Sequence, residues 1–186
     1  AGRQHDFSGK RLLVMGGSLG AHALNVHVCR HLDALRAAGI EVRHQTGVRD
    51  EAVTREAYAA AGYDPACVSA FIDDMASAYA WADLVLCRAG ATTVAELCAA
   101  GLPSVLVPFP YAVHDHQTRN AQALVAEGAA LMLPEARMES DGLMAQVTDL
   151  LQDTGRLRTM AAAASGCARV RAAELVAAEL ETVCAR

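Results

Sequence analysis

At 186 residues, 53% hydrophobic and 20% charged, the sequence has the size and composition of one globular domain with a sizeable core. A net charge of −5 disfavours nucleic acid as the main partner, because neutralising phosphates takes clustered cations. An aromatic content of 4% argues against an all-β sandwich and against a base-stacking surface, while forty alanines favour helices.

The pattern alternates short apolar runs with longer helical stretches, which is the signature of a parallel α/β sheet. Arg11–Met15 reads as a first strand, followed by Gly16-Gly17-Ser18-Leu19-Gly20 and a helix to about Ala38, closed by Gly39. Glu41–Thr46 is a second strand, and Asp50–Ala61 a helix stopped by Gly62. Cys67–Phe71 is a third strand, after which Asp73-Asp74 lead into a short helix through Trp81. Leu84–Cys87, wholly apolar, is expected as a fourth strand buried on both faces. Thr93–Ala100 is a helix, Ser104–Val107 a fifth strand, and Pro108 and Pro110 force an extended loop to about Asp115. Gln117–Glu127 is helical and Ala129–Leu133 is a sixth strand. Helices are expected from about 140, over 140–151, 154–164 and 168–185. There is no internal repeat and no low-complexity linker. The expected fold is a Rossmann-like parallel sheet of order 3-2-1-4-5-6, whose ligand crevice lies outside the ends of strands one and four.

Lys10, the only lysine, precedes the first glycine pair, which excludes a phosphate loop with a lysine after its glycines. The six cysteines form no C-x-x-C pair and read as reduced, mostly buried thiols of a cytosolic protein. The first residues carry no signal-peptide pattern. The longest uncharged run, Leu97 to Val113, is broken by Gly101, Pro103, Pro108 and Pro110 and cannot span a membrane as a helix.

Three loops concentrate the chemistry. In the first, Gly16 to Gly20, glycines permit close backbone approach and the helix behind supplies unpaired N–H groups. That suits a phosphate or diphosphate, with a plain packing turn as the alternative. The spacing is G-G-x-x-G rather than G-x-G-x-x-G, and His44-Gln45-Thr46-Gly47 at the end of strand two holds no carboxylate, so a dinucleotide site is disfavoured. The second loop is Arg88-Ala89-Gly90-Ala91-Thr92-Thr93, with Glu96 on the helix that follows. Thr93-x-x-Glu96 has capping-box spacing, yet a carboxylate there also suits a ribose diol. The third is Pro108 to Gln117. Its proline-stiffened backbone and polar end suit hydroxyl recognition or a solvated helix cap better than a metal held by His114 and His116.

Several polar residues read as structural. Asp73-Asp74 is better read as a helix cap than as a glycosidase pair. Arg30, Arg36, Arg43, Arg49 and Arg55 are expected to be solvated, and His5, His22, His27 and His31 show no usable partner pattern.

Together, Leu13–Asn25, His44–Gly47, Phe71–Asp83, Cys87–Pro108 and Asp115–Ala121 resemble one family, the MurG glycosyltransferases. These transfer N-acetylglucosamine to the lipid-linked muramyl-pentapeptide of peptidoglycan synthesis, converting lipid I to lipid II. The resemblance runs over nearly the whole sequence, departs at Leu19 and His22 (where members often carry Gln and Arg), and covers the carboxyl-terminal half of that enzyme. It implies the donor half of a GT-B, inverting, metal-independent hexosyltransferase that needs no cofactor and binds UDP-N-acetylglucosamine. It also implies that residues 1–186 form a single UDP-sugar-binding domain, inactive alone, with the acceptor-binding amino-terminal domain and its catalytic base absent. By the same resemblance the Ile72 backbone reads uracil and Glu96 the ribose. The Gly17 corner with Ser18, Thr92 and Thr93 holds the diphosphate, and Ala91, His116 and Gln117 face the sugar. The full enzyme would sit peripherally on the cytoplasmic face of the inner membrane, taking lipid I as acceptor. Another GT-B lipid glycosyltransferase and a non-catalytic nucleotide-sugar binding module are the alternatives.

Overall fold

The computed structural model describes residues 6–17, 21–112 and 115–168. The elements run β1 (Arg11–Met15), α1 (His22–Arg30), α2 (Leu32–Ala37), β2 (Glu41–Gln45), α3 (Glu51–Ala60), β3 (Val68–Ser69), α4 (Met75–Trp81) and β4 (Leu84–Cys87). They continue with α5 (Ala91–Ala100), β5 (Ser104–Leu106), α6 (His116–Ala126), β6 (Ala130–Met132), α7 (Leu143–Gln152) and α8 (Thr154–Gly166). The expected helix over 168–185 lies almost wholly outside the described residues.

All six strands are parallel in the order β3-β2-β1-β4-β5-β6, the expected order. Period-2 alternation builds two cores. Leu12 and Val14 of β1 face one side, packed with residues of α1, α2, α7 and α8 such as Leu24, Leu35, Val147 and Leu157. Leu13 and Met15 face the other side, packed with Tyr79, Leu97 and Leu124 of α4, α5 and α6. With Leu84 to Cys87 buried throughout, β1 and β4 form the centre of the sheet, paired from Leu12↔Leu84 to Met15↔Cys87.

Local chemistry moves several boundaries. The first helix breaks at His31, whose N–H bonds back to Val28 rather than continuing the α1 ladder. The third strand is only two residues long, because Pro65–Cys67 form a 3₁₀ turn whose start is capped by the Asp64 side chain. Asp74 caps α4 as expected, accepting from the Ser77 N–H at 2.9 Å. Gly101 ends α5 in the left-handed region (φ +64°), and a side chain there would also run into Ser165 of α8. The five described cysteines are all free thiols.

One polar cluster lies inside the first core. The His44 ring is fully buried, with Nδ1 3.0 Å from the Tyr58 hydroxyl and Nε2 3.1 Å from Asn25 Oδ1. The Asn25 amide nitrogen donates to the Thr46 carbonyl and to Asp50, so its oxygen accepts from His44 Nε2–H, and His44 Nδ1 accepts from Tyr58. Burial holds the imidazole neutral, pushing its pKa from 6.5 down to about 3. The unfolded ring takes up its proton near 6.5 and the folded ring only near 3. Protonation therefore favours the unfolded chain, and stability is lost as pH falls through that window. Urea denaturation between pH 7.5 and pH 4 is expected to show this loss, with a His44 contribution approaching about 1.4 kcal/mol per pH unit. The slope should be shallower in His44→Gln, and an unchanged slope would contradict the assignment.

Candidate functional site

The crevice opens where β1 and β4 end side by side. At the β1 corner Gly17 takes φ +78°, and among the described residues nothing lies within 4 Å of where its side chain would be. Gln45, at the end of β2, fixes this corner. Its Oε1 accepts from the Gly17 N–H at 3.0 Å, and its Nε2 donates to the Gly17 carbonyl at 3.0 Å and the Ala70 carbonyl at 2.8 Å. One amide thus ties the glycine corner to the segment after β3.

Behind the corner, α1 starts at His22 with Ala21 as its cap residue, with no side-chain cap and no acid in its first turn. Its N-terminal end is held down by Asp50, which accepts from Asn25 Nδ2 at 2.8 Å and from His22 Nδ1 at 3.0 Å. Burial opposes the Asp50 charge, but these two hydrogen bonds hold the carboxyl below its ordinary range. His22 therefore has a specific partner that its sequence position did not disclose. Ser18 lies outside the described residues.

At the β4 corner, α5 begins at Ala91 with Gly90 as its cap residue, again without a side-chain cap or a first-turn acid. The helix therefore starts two residues earlier than the sequence suggested, which places Glu96 on its second turn and removes the capping-box reading. Glu96 Oε2 instead accepts from the Tyr79 hydroxyl of α4 at 2.8 Å, and Glu96 is exposed at the cleft. Burial, reinforced by that carboxylate, raises the Tyr79 pKa, so the hydroxyl stays protonated and donates. An ionised carboxylate has about four lone-pair sites, so Glu96 keeps capacity for two further donors.

Gly17, Gln45, Ile72, Tyr79, Thr93 and Glu96 line one cleft of about 230 Å³, below the roughly 300–1,000 Å³ of a typical whole-ligand pocket. Ala91 and Thr92 lie exposed at the start of α5. A larger groove of about 740 Å³ runs past β2 and β3 to α4, where Arg43 stacks over Trp81 at 4.3 Å, but neither the Gly17 corner nor the start of α5 lines it. Arg43 is thus engaged rather than simply solvated, as is Arg55, which pairs with Glu51 at 2.8 Å.

His116 and Gln117 open α6, after the β5 loop. Gln117 Oε1 accepts from the Phe109 N–H at 2.9 Å and the Ala89 N–H at 3.3 Å, while Asn120 Nδ2 donates to the Ala89 carbonyl at 3.0 Å. These two side chains stitch the β4 and β5 loops together, so the Gln117 oxygen is committed to protein and only its amide N–H groups point to ligand chemistry. Arg88 lines the cleft, yet its guanidinium pairs with Glu135, donates to the Val107 and Pro108 carbonyls, and lies 5.5 Å from the Phe109 ring centre. It secures the loop rather than offering a cation to a ligand. Among the described residues the cleft gathers no group of three His, Cys, Asp or Glu side chains.

Sequence reasoning missed Gln45, Tyr79 and Asn120, each of which acts through partners distant in sequence. Gln45→Leu should leave three backbone groups without their partner and destabilise the chain by about 1–2 kcal/mol, measured by urea unfolding.

Residues 11–176 match the family model described as glycosyltransferase family 28 C-terminal domain. The sequence is 56% identical over 90% of its length to a Nitratidesulfovibrio vulgaris (strain DP4) protein named UDP-N-acetylglucosamine–N-acetylmuramyl-(pentapeptide) pyrophosphoryl-undecaprenol N-acetylglucosamine transferase, covering 46% of that protein. It is 51% identical over 93% of its length to the Lawsonia intracellularis protein of the same name, covering 48% of it. Among solved structures, the crystal structure of Acinetobacter baumannii MurG superposes with a TM-score of 0.81 at 38% identity, over 92% of this chain and 49% of that one. The chain therefore spans about half the length of the curated relatives it matches.

Proposed function

The chain belongs to the glycosyltransferase family 28 C-terminal domain family, and we propose on that premise that residues 1–186 are a single UDP-N-acetylglucosamine-binding domain, the donor half of an inverting hexosyltransferase that converts lipid I to lipid II. The observation that carries this reading is the exposed Glu96 carboxylate, oriented by Tyr79 beside the Gly17 corner and the uncapped start of α5. A pocket wall that presents a fixed acceptor a short way from two helix N-termini suits a molecule with a diol at one point and phosphates at the next.

In this reading the Ile72 backbone meets the uracil edge, and Glu96 accepts from the two ribose hydroxyls. Gly17, Ser18, Thr92 and Thr93 surround the diphosphate, while Ala91, His116 and the Gln117 amide face the sugar. Displacement at the anomeric carbon leaves UDP with added negative charge. The N–H groups at the starts of α1 and α5 and the nearby hydroxyls receive that charge, each preorganised donor supplying about 3 kcal/mol in the transition state. The relatives are about twice as long, and we assign the lipid acceptor, the base that takes its proton and peripheral attachment to the cytoplasmic membrane face to the portion that this sequence does not span. Among the described residues, no helix is long and apolar enough to cross a membrane.

Calorimetric titration should show binding of UDP-N-acetylglucosamine in preference to UDP-glucose and UDP-N-acetylgalactosamine, and no binding of NAD. Preference for NAD would overturn the reading. Glu96→Gln is expected to weaken UDP and UDP-sugar alike by about tenfold or more. Tyr79→Phe should weaken both by a smaller factor, because it removes the orientation of Glu96 but leaves its charge.

A further inference from the structure

At the far end of α1, about 12 Å along the helix from the glycine corner, lies a second polar cluster that the donor site does not use. His27 and His31 stand one helical turn apart, their ring centres 4.6 Å from each other. Glu139, on the turn before α7, meets them from a distant part of the chain. One nitrogen from each imidazole and one Glu139 oxygen all lie within 4.8 Å of one another. We propose that His27, His31 and Glu139 form a site for a divalent transition-metal ion of the zinc type.

Three observations support it. First, His27 is 5% exposed and its Nε2 is buried with no hydrogen-bond partner among the described protein atoms. Its Nδ1 meets Glu139 Oε2 only at 3.4 Å, longer than a good hydrogen bond. A cation between Nδ1 and the Glu139 carboxylate would give Nδ1 the partner that it lacks at this distance. Second, the 3.4 Å between His27 Nδ1 and Glu139 Oε2 is the edge expected of a tetrahedron whose centre lies about 2.0–2.1 Å from each ligand atom, and the His31 nitrogen, within 4.8 Å of both, would move in toward that centre on binding. Third, His31 Nδ1 donates to the His27 carbonyl at 2.8 Å, which fixes the tautomer and leaves the Nε2 lone pair available. A ring N–H held by a backbone carbonyl is the usual support of a metal-ligating histidine.

Two imidazoles and one carboxylate leave a fourth position for water, a ligand set that suits Zn²⁺ and Co²⁺ better than Mg²⁺ or Ca²⁺. The ion would fasten the α1–α2 junction to the segment entering α7, two parts of one core that are far apart in sequence. It would act on stability and leave the donor cleft untouched.

The test is titration of the reduced chain with Zn²⁺ by calorimetry and with Co²⁺ by visible absorption. Expected are one Zn²⁺ per chain, a higher melting temperature in excess Zn²⁺, and the Co²⁺ spectrum of a four-coordinate nitrogen and oxygen site. Glu139→Gln, on an exposed turn, and His31→Gln should each lower Zn²⁺ affinity by about tenfold or more while UDP affinity stays unchanged. The proposal fails if no Zn²⁺ binds. It also fails if both variants bind Zn²⁺ as tightly as the unaltered chain, or if the Co²⁺ spectrum shows thiolate charge transfer, which would place the ion on cysteine.

Discussion

A parallel sheet buried on both faces has only its strand ends at which to present polar chemistry, and here everything of functional interest follows from the ends of β1 and β4. They are neighbours in the sheet, in register from Leu12↔Leu84 to Met15↔Cys87, but their connections leave toward opposite faces. The two helices that follow therefore begin on either side of one crevice, each without a side-chain cap and without an acid in its first turn. A helix start left unpaired in this way favours negative charge. With Arg88 engaged by Glu135 and by loop carbonyls, the described residues offer an anion at the crevice chiefly backbone donors and hydroxyls.

Backbone donors act only if they are held still, and the side chains around the crevice serve that end. Gln45 ties the Gly17 corner to the segment after β3, Gln117 and Asn120 join the loops after β4 and β5, and Asp50 with Asn25 anchors α1. Beneath them His44 stays neutral, bonded through both ring nitrogens, so its imidazole adds no charge to the core. Tyr79 completes the pattern by orienting Glu96, the one carboxylate that lines the cleft among the described residues.

The strand order was legible because wholly apolar runs such as Leu84–Cys87 admit few alternatives, and the glycine corners because only glycine suits them. The start of α5 was misjudged: Ala91 and Thr92 read as loop residues, although Gly90 already caps the helix. That shift of two residues removes the cap, one of the two roles that the position of Glu96 had allowed. Pairings across the fold, Tyr79 with Glu96 or Gln45 with Gly17, leave no periodic trace in sequence and emerge only from topology. His27 and His31 showed no usable partner pattern, since nothing local links position 139 to α1.

The central claim is that one cleft, between the Gly17 corner and the start of α5, receives the nucleotide. The most direct measurement is a titration of the isotopically labelled chain with UDP, followed by backbone amide chemical shifts. The account predicts the largest changes at Gly17, Ile72 and Ala91 to Thr93, with Arg43 and Trp81 in the neighbouring groove nearly still. Changes concentrated in that groove, or absent from the amides at the start of α5, would contradict it.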